Sequence, residues 1–190
     1  MKRIFSEGMK FESLKFQDTV LEVGDYENCI FRNCDFSGSD LSNINLLGCE
    51  FHECNLSLSR LAQTSFREVK FINCKLLGLH FEDCNNLMIS FEFDGCIMDL
   101  SSFYKLKLKK TVFRNSKIIE VDFSESDLSN SLFENCDLQR TIFNNTNLEE
   151  VDFRTSNNFS IDPEINRIKK AKFSLPGIAG LLDKYDIVID

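Results

Sequence analysis

A chain of 190 residues is long enough for one domain with a substantial core, and 43% hydrophobic residues is an ordinary share for a soluble protein. Thirty acidic against 22 basic side chains leave a formal charge of −8, which argues against a polyanion as direct ligand, because nucleic-acid affinity rests on neutralising phosphates with Lys and Arg. No apolar run reaches the roughly 18 residues of a membrane span and Met1-Lys2-Arg3-Ile4-Phe5 runs straight into polar residues, so a cytoplasmic protein without membrane or direct nucleic-acid contact is expected.

Residues 1–8 are short and read as a partial N-terminal cap. From Phe11 a ladder begins. Phe11, Phe31, Phe51 and Phe71 lie twenty residues apart, as do Phe93, Phe113, Phe133 and Phe153, and only the step from Phe71 to Phe93 is twenty-two. One residue type returning to one register along the chain marks a solenoid whose coils stack. A shorter period runs between the rungs. Every fifth residue from Phe11 to Phe81 is Phe, Leu or Tyr, and after a shift of two every fifth residue from Met88 to Phe153 is Met, Phe, Leu or Ile. Neither a helix period of 3.6 nor a strand period of 2 produces this. The repeat is five, so a twenty-residue coil has four faces.

Take each large apolar residue as the centre of its pentad. Two positions earlier the residue is mostly small: Cys34, Ser39, Cys54 and Ser59 before the shift, Ser101, Thr111, Ser126 and Thr146 after it. The position just before the centre is often Asp or Asn, as in Ser39-Asp40-Leu41 and Ser126-Asp127-Leu128. One large and one small side chain thus point inward per pentad. A two-residue insertion between Cys84 and Met88, near Asn85-Asn86, keeps the phenylalanines on the first face and Cys34, Cys54, Cys74, Cys96 and Cys136 on the second.

The pairs Cys29/Cys34 and Cys49/Cys54 fall inside the looser range of zinc-ligand spacings. However, all eight cysteines occupy the small inward position, in parallel rows rather than around a point. They read as compact core residues, with no metal site. Stacked rungs are near enough for disulfides, which a cytoplasmic setting disfavours.

After Ser156 the pentads stop, and both prolines, Pro163 and Pro176, appear. Residues 157–190 read as a C-terminal cap and dimerisation segment. Ser174-Leu175-Pro176 is a helix start, with Ser174 as N-cap. Leu175, Ile178, Leu181, Leu182 and Tyr185 recur at the spacing of a short amphipathic α-helix, and Ile187-Val188-Ile189 reads as a terminal strand.

Over residues 9–156 this pattern resembles the pentapeptide-repeat family, whose loose consensus is small-Asp/Asn-Leu/Phe-polar-polar. The resemblance implies an all-β solenoid, a right-handed quadrilateral parallel β-helix, here with a short C-terminal α-helix cap. The segment Asp162-Pro163-Glu164-Ile165-Asn166-Arg167-Ile168, with Phe173-Ser174 and Leu181-Leu182, is similar to the tail of the subgroup that includes the microcin B17 immunity protein and Qnr-like quinolone-resistance proteins. That similarity implies a tail-to-tail homodimer forming an acidic rod, which engages type II topoisomerases (DNA gyrase or topoisomerase IV) as a DNA mimic. The sizeable loops of Gram-negative Qnr proteins are missing, which bears on protection of the enzyme more than on binding it.

No convergent catalytic set appears. His52 and His80 fall in outward slots on different faces, and there is no glycine-rich phosphate loop, so neither enzyme activity nor a cofactor is expected. The charge is informative instead. Residues 9–156 hold 24 acidic against 15 basic side chains, whereas the tail from 157 holds 5 of each. The third face is the most acidic, with Glu22, Asp40, Glu82, Asp83, Asp122 and Glu125 against Arg60 and Lys105. These six are the candidate partner-binding residues. Against them stands a basic cluster, Lys105, Lys107, Lys109, Lys110, Arg114 and Lys117. The alternative is an interaction scaffold for an unrelated protein, using an outward apolar strip of Leu58, Leu77, Leu100 and Ile119 beside the second face.

Overall fold

The computed structural model describes residues 3–16 and 19–188. The chain winds as a parallel β-solenoid with four faces. On the first face β2 (Lys10–Glu12), β4 (Ile30–Arg32), β6 (Glu50–His52), β8 (Val69–Ile72), β9 (Phe91–Asp94), β10 (Val112–Arg114) and β11 (Leu132–Glu134) form one seven-stranded parallel sheet. On the fourth face β1 (Ile4–Glu7), β3 (Gly24–Glu27), β5 (Asn45–Leu47) and β7 (Ser65–Arg67) form another. The second and third faces are joined by single parallel bridges, such as Asp35↔Asn55 and Ser102↔Asp122.

The five-residue period follows from the corners. The residue two after most centres is left-handed, such as Asn33 at φ 50° and Asn130 at φ 62°, so the chain bends there on every face. Asn is the residue that adopts this conformation most readily after Gly, and it fills many of these positions. Aspartate before the centre has an equally local cause. Its Oδ1 accepts the N–H two residues on, as in Ser42 N–H to Asp40 at 2.9 Å and Ser129 N–H to Asp127 at 3.1 Å. This closes an Asx turn at the start of the corner.

Inside, the phenylalanines stack along the axis, with ring centroids 4.7 Å apart for Phe31–Phe51 and 4.5 Å for Phe113–Phe133. Beyond the shift Phe also fills the third face, opposite the first, and the two ladders meet edge to face, as in Phe113–Phe123 at 80°. The small inward position does more than save space. Its thiol or hydroxyl donates to a carbonyl of the preceding coil: Cys54 Sγ to Phe31 O at 3.4 Å, Ser59 Oγ to Phe36 O at 2.7 Å, Thr146 Oγ1 to Phe123 O at 2.9 Å. That is why Cys, Ser and Thr recur there more than Ala. Burial also pushes the Cys49 thiol up to about 12, which keeps it protonated as a donor.

Several expectations need correction. The coils begin before residue 9, because β1 pairs with β3 from Ile4↔Gly24 onward, so residues 4–7 are a rung rather than a separate cap; Met1 and Lys2 lie outside the described residues. They also run past 156. Asn147↔Arg167 and Asp152↔Lys172 continue the ladders, and Phe173 stacks on Phe153 at 5.5 Å, twenty residues on. The insertion falls after Met88 rather than before it. Ser65↔Asn85 keeps the twenty-residue step, whereas Val69↔Phe91 is the first step of twenty-two, which makes Ile89 and Ser90 the extra residues. Met88 is therefore no centre: it takes the left-handed corner position and is 63% exposed.

Finally, the C-terminal turns are 3-10, over Pro176–Leu181 and Asp183–Tyr185, and not an α-helix. Gly177 and Gly180 weaken an α-helix, and Gly180 is packed so closely that a Cβ would meet Phe159 O at 2.1 Å. The tail is bound to the last coil through Ile161 N–H to Gly180 O at 2.9 Å, which suits the tighter winding. The N-cap of this turn is Leu175, one residue past Ser174, although Ser174 Oγ does accept the Gly177 N–H at 3.1 Å. Ile187 and Val188 form no strand, and Ile189 lies outside the described residues.

Candidate functional site

With the interior filled by apolar side chains, function falls to what the four faces show outward. On the third face one column runs Asp40↔Arg60, and beyond it His80↔Ser102↔Asp122↔Ile142. Glu82 and Asp83 follow the centre Phe81, and Glu125 follows Phe123, so five of the six candidate acids share this face with Glu22 at its N-terminal end. The face collects them without making an unbroken acidic stripe. Arg60 sits 3.7 Å from Asp40, His80 Nδ1 is 3.0 Å from Glu82, and Lys105 Nζ is 3.4 Å from Glu125. Tyr104 also donates its hydroxyl to Glu125 at 2.9 Å.

Glu22, Asp83 and Asp122 have no ion-pair partner among the described residues, and the first two are exposed. Asp122 is half-buried and accepts the Ser124 N–H at 2.8 Å. The Ser42 hydroxyl and amide hold the Asp40 carboxyl below the usual carboxylate range, with Arg60 adding to this, so it stays charged at neutral pH. Beside these acids lies a shallow polar depression lined by Ser42, Arg60, Gln63, Glu82, Asp83 and Asn85. One oxygen of Glu82 is buried without a hydrogen-bond partner.

Half of the basic cluster, Lys105, Lys109 and Arg114, is tied to neighbouring coils, while Lys107, Lys110 and Lys117 make no ion pair among the described residues. Lys109 pairs with Asp127 at 3.2 Å, and Arg114 bridges Glu92 and Glu134, both at 2.9 Å. Ion pairs climb from coil to coil in this way because charges twenty residues apart in sequence lie one rung apart. His52 is half-buried against Glu50 at 2.9 Å, far from His80 in the winding. Among the described residues no group of His, Cys, Asp and Glu could hold a metal ion, and no helix is long and apolar enough to cross a membrane.

The C-terminal residues singled out from the sequence split in two. Leu181 packs on the core and Leu182 is half-buried. Leu175, Ile178, Tyr185 and Ile187 are exposed by 84%, 43%, 50% and 55%. Lys184 fixes this segment to the last coil, 2.7 Å from both Asp162 and Glu164, and Tyr185 donates its hydroxyl to Glu164 at 2.9 Å. In the sequence only the apolar residues of this segment follow a spacing, and its polar anchors follow none.

Similarity to known proteins spans most of the chain. Full-length QnrB1, a plasmid-mediated fluoroquinolone resistance protein, is 20% identical over 98% of this chain and 100% of its own, with a TM-score of 0.47. HetL, a pentapeptide repeat protein involved in heterocyst differentiation regulation in the cyanobacterium Nostoc, is 14% identical over 91% of this chain and 87% of its own, with a TM-score of 0.30. Among curated proteins none matches the sequence. The profile of the pentapeptide repeat region matches residues 24–92 and 88–158, most of the chain. A four-faced coil of five-residue sides, recognised by that profile over residues 24–158, makes this chain a member of the pentapeptide-repeat family.

Proposed function

We infer that this protein is a non-enzymatic, cytoplasmic binding module that lays its acidic third face along the DNA-binding saddle of a type II topoisomerase, DNA gyrase or topoisomerase IV. It acts there as a DNA mimic, modulating the enzyme or shielding it from quinolones or gyrase-targeting toxins. The observation that carries this reading is the placement of Glu22, Asp40, Glu82, Asp83, Asp122 and Glu125 on one face of a rod whose shape is fixed by continuous parallel pairing. Placement matters more than density here. A DNA duplex carries one charge per ~1.7 Å, whereas the coils, at ~4.8 Å each, give this rod about one net charge per 5 Å. The tail resemblance described above adds to the reading.

The same reading includes a homodimer formed through the C-terminal segment, which joins two rods into a longer one. Leu175, Ile178, Tyr185 and Ile187 are its apolar surface, exposed as they stand in the single chain.

Gyrase supercoiling and drug-induced cleavage, titrated with the purified protein, test the function. The expected result is inhibition or protection that weakens about tenfold or more in Asp122→Lys/Glu125→Lys, since like charges facing the basic saddle repel. No effect at tens of micromolar, with no gyrase retained on the immobilised protein, would sink the reading. Light scattering separates the dimer: a 22.0 kDa species at high concentration rules it out.

A further inference from the structure

The second face differs from the others in what it shows to solvent. Leu58 and Leu100 are 73% and 62% exposed, and Leu77, Ile97 and Ile119 beside them are half-buried. The winding stacks them. Lys75, Ile97 and Lys117 form one ladder column, while the amides of Leu58 and Leu100 donate to the carbonyls of Leu77 and Ile119 at 2.9 and 3.0 Å. Single exposed leucines need no explanation. Five large apolar side chains on one face, over three coil steps or about 14 Å, do.

Two of them also sit in costly backbone. Leu58 has φ 59° and Leu100 φ 62°, the left-handed corner that elsewhere in this chain favours Asn. A residue with a β-carbon gives up about 1 kcal/mol there, and neither leucine recovers it by burial. Between them stands Gly78, over which Leu58 lies: a Cβ on Gly78 would come within 2.8 Å of Leu58 Cδ2. The fold alone does not ask for leucine at these two corners.

Charge selects the occupant. On a rod with a net negative charge, the ammonium groups that border the strip, Lys75 and Lys117, make no ion pair among the described residues. They stand two coil steps apart, about 10 Å. Three residues of extended chain cover that length but turn their side chains to opposite faces. Seven residues of α-helix cover it with both side chains on one face.

We propose that the second face docks an acidic amphipathic helix of a partner protein lying along the rod. Carboxylates at i and i+7 meet Lys75 and Lys117, and apolar side chains at i+3 and i+4 lie on Ile97, Leu100 and Ile119. This surface is separate from the acidic third face, and it stands whether or not the topoisomerase reading does.

The probe is a synthetic helical peptide with Glu at i and i+7, Leu at i+3 and i+4, and Ala elsewhere, followed by fluorescence anisotropy beside a twin carrying Lys for Glu. The Glu peptide is expected to bind saturably and at least about tenfold more weakly to Lys75→Glu/Lys117→Glu, which should instead prefer the Lys twin. Leu58→Asn/Leu100→Asn is expected to lose binding by a similar factor while its melting temperature holds or rises, because Asn suits the corner. Third-face Asp122→Lys/Glu125→Lys should bind the Glu peptide as the parent does. Equal binding of both peptides, no binding of either at millimolar concentration, preferential binding to phosphatidylserine vesicles, or a lower melting temperature in the double Asn variant would each overturn the proposal.

Discussion

The rung at Phe113–Phe133 and the junction at Asn86–Phe91 solve the same packing problem in different ways. In the regular rung each face places one large and one small side chain inside, and rings 4.5 Å apart continue the ladder. At the junction Asn86 stands opposite Phe66, where a large apolar centre belongs, yet it is exposed. Phe91 restores the lost volume. It occupies the small position of the next pentad, is 5% exposed, and lies 5.4 Å from Phe66 and 5.3 Å from Phe81. The donor is replaced too: Phe91 has no hydroxyl or thiol, and the carbonyl of Phe66 instead accepts Ser90 N–H at 3.2 Å. A two-residue insertion is absorbed because both the volume and the hydrogen bond are supplied from within it. The ladder then resumes, with Phe71 and Phe93 stacked at 8°.

The largest effect is expected on the regular side. Phe113 is fully buried between Phe93 and Phe133 and edge-on to Phe103 and Phe123, so Phe113→Ala leaves a cavity that the neighbouring coils cannot close. A loss of about 3–5 kcal/mol is expected by urea denaturation. A loss under about 1 kcal/mol would mean that the coils collapse around the gap, contrary to the rigid-rod description.

On the irregular side, Phe91→Ser is expected to cost about 3 kcal/mol, and Asn86→Leu alone little. The double variant Asn86→Leu/Phe91→Ser restores the regular pentad pattern and should recover part of the loss, a coupling of about 1 kcal/mol or more. Strict additivity would show that Phe91 does not stand in for the missing centre, and the comparison would fail.

The interior was the legible part of the chain. A five-residue period with one aromatic rung per coil admits few arrangements, so the four faces, the inward cysteines and the two-residue slip all follow from spacing. Spacing could not place the slip, because Met88 and Phe91 are both apolar and only backbone pairing shows which one faces inward. Phe173 continued the ladder in plain sight, but Asn158, Pro163 and Asn166 break the apolar pattern between it and Phe153. Asn166 keeps the coil going by bonding instead of packing. It donates to Phe143 O at 2.7 Å and accepts Thr146 N–H at 2.8 Å. The tail had helical spacing, yet its glycines and its contact with Phe159 made the turn 3-10. For the acidic face, spacing groups the residues of one face but not the cations leaning on them from neighbouring coils, which leave Glu22, Asp83 and Asp122 as its acids without an ion-pair partner among the described residues.

The smallest effect tests the role of the small position itself. Thr146→Val keeps the shape and removes only the hydroxyl that donates to Phe123 O. The carbonyl retains its turn bond from Ser126 N–H at 3.1 Å, so the expected loss is about 1 kcal/mol, or some 2–4 °C in melting temperature. At the junction the donor is the Ser90 amide, which substitution by alanine leaves in place, so Ser90→Ala should leave stability within about 0.5 kcal/mol of the parent. A neutral Thr146→Val would reduce the small position to a matter of volume. A loss at Thr146 beside none at Ser90 would show that each coil needs a donor at this corner, whether the side chain or the backbone supplies it.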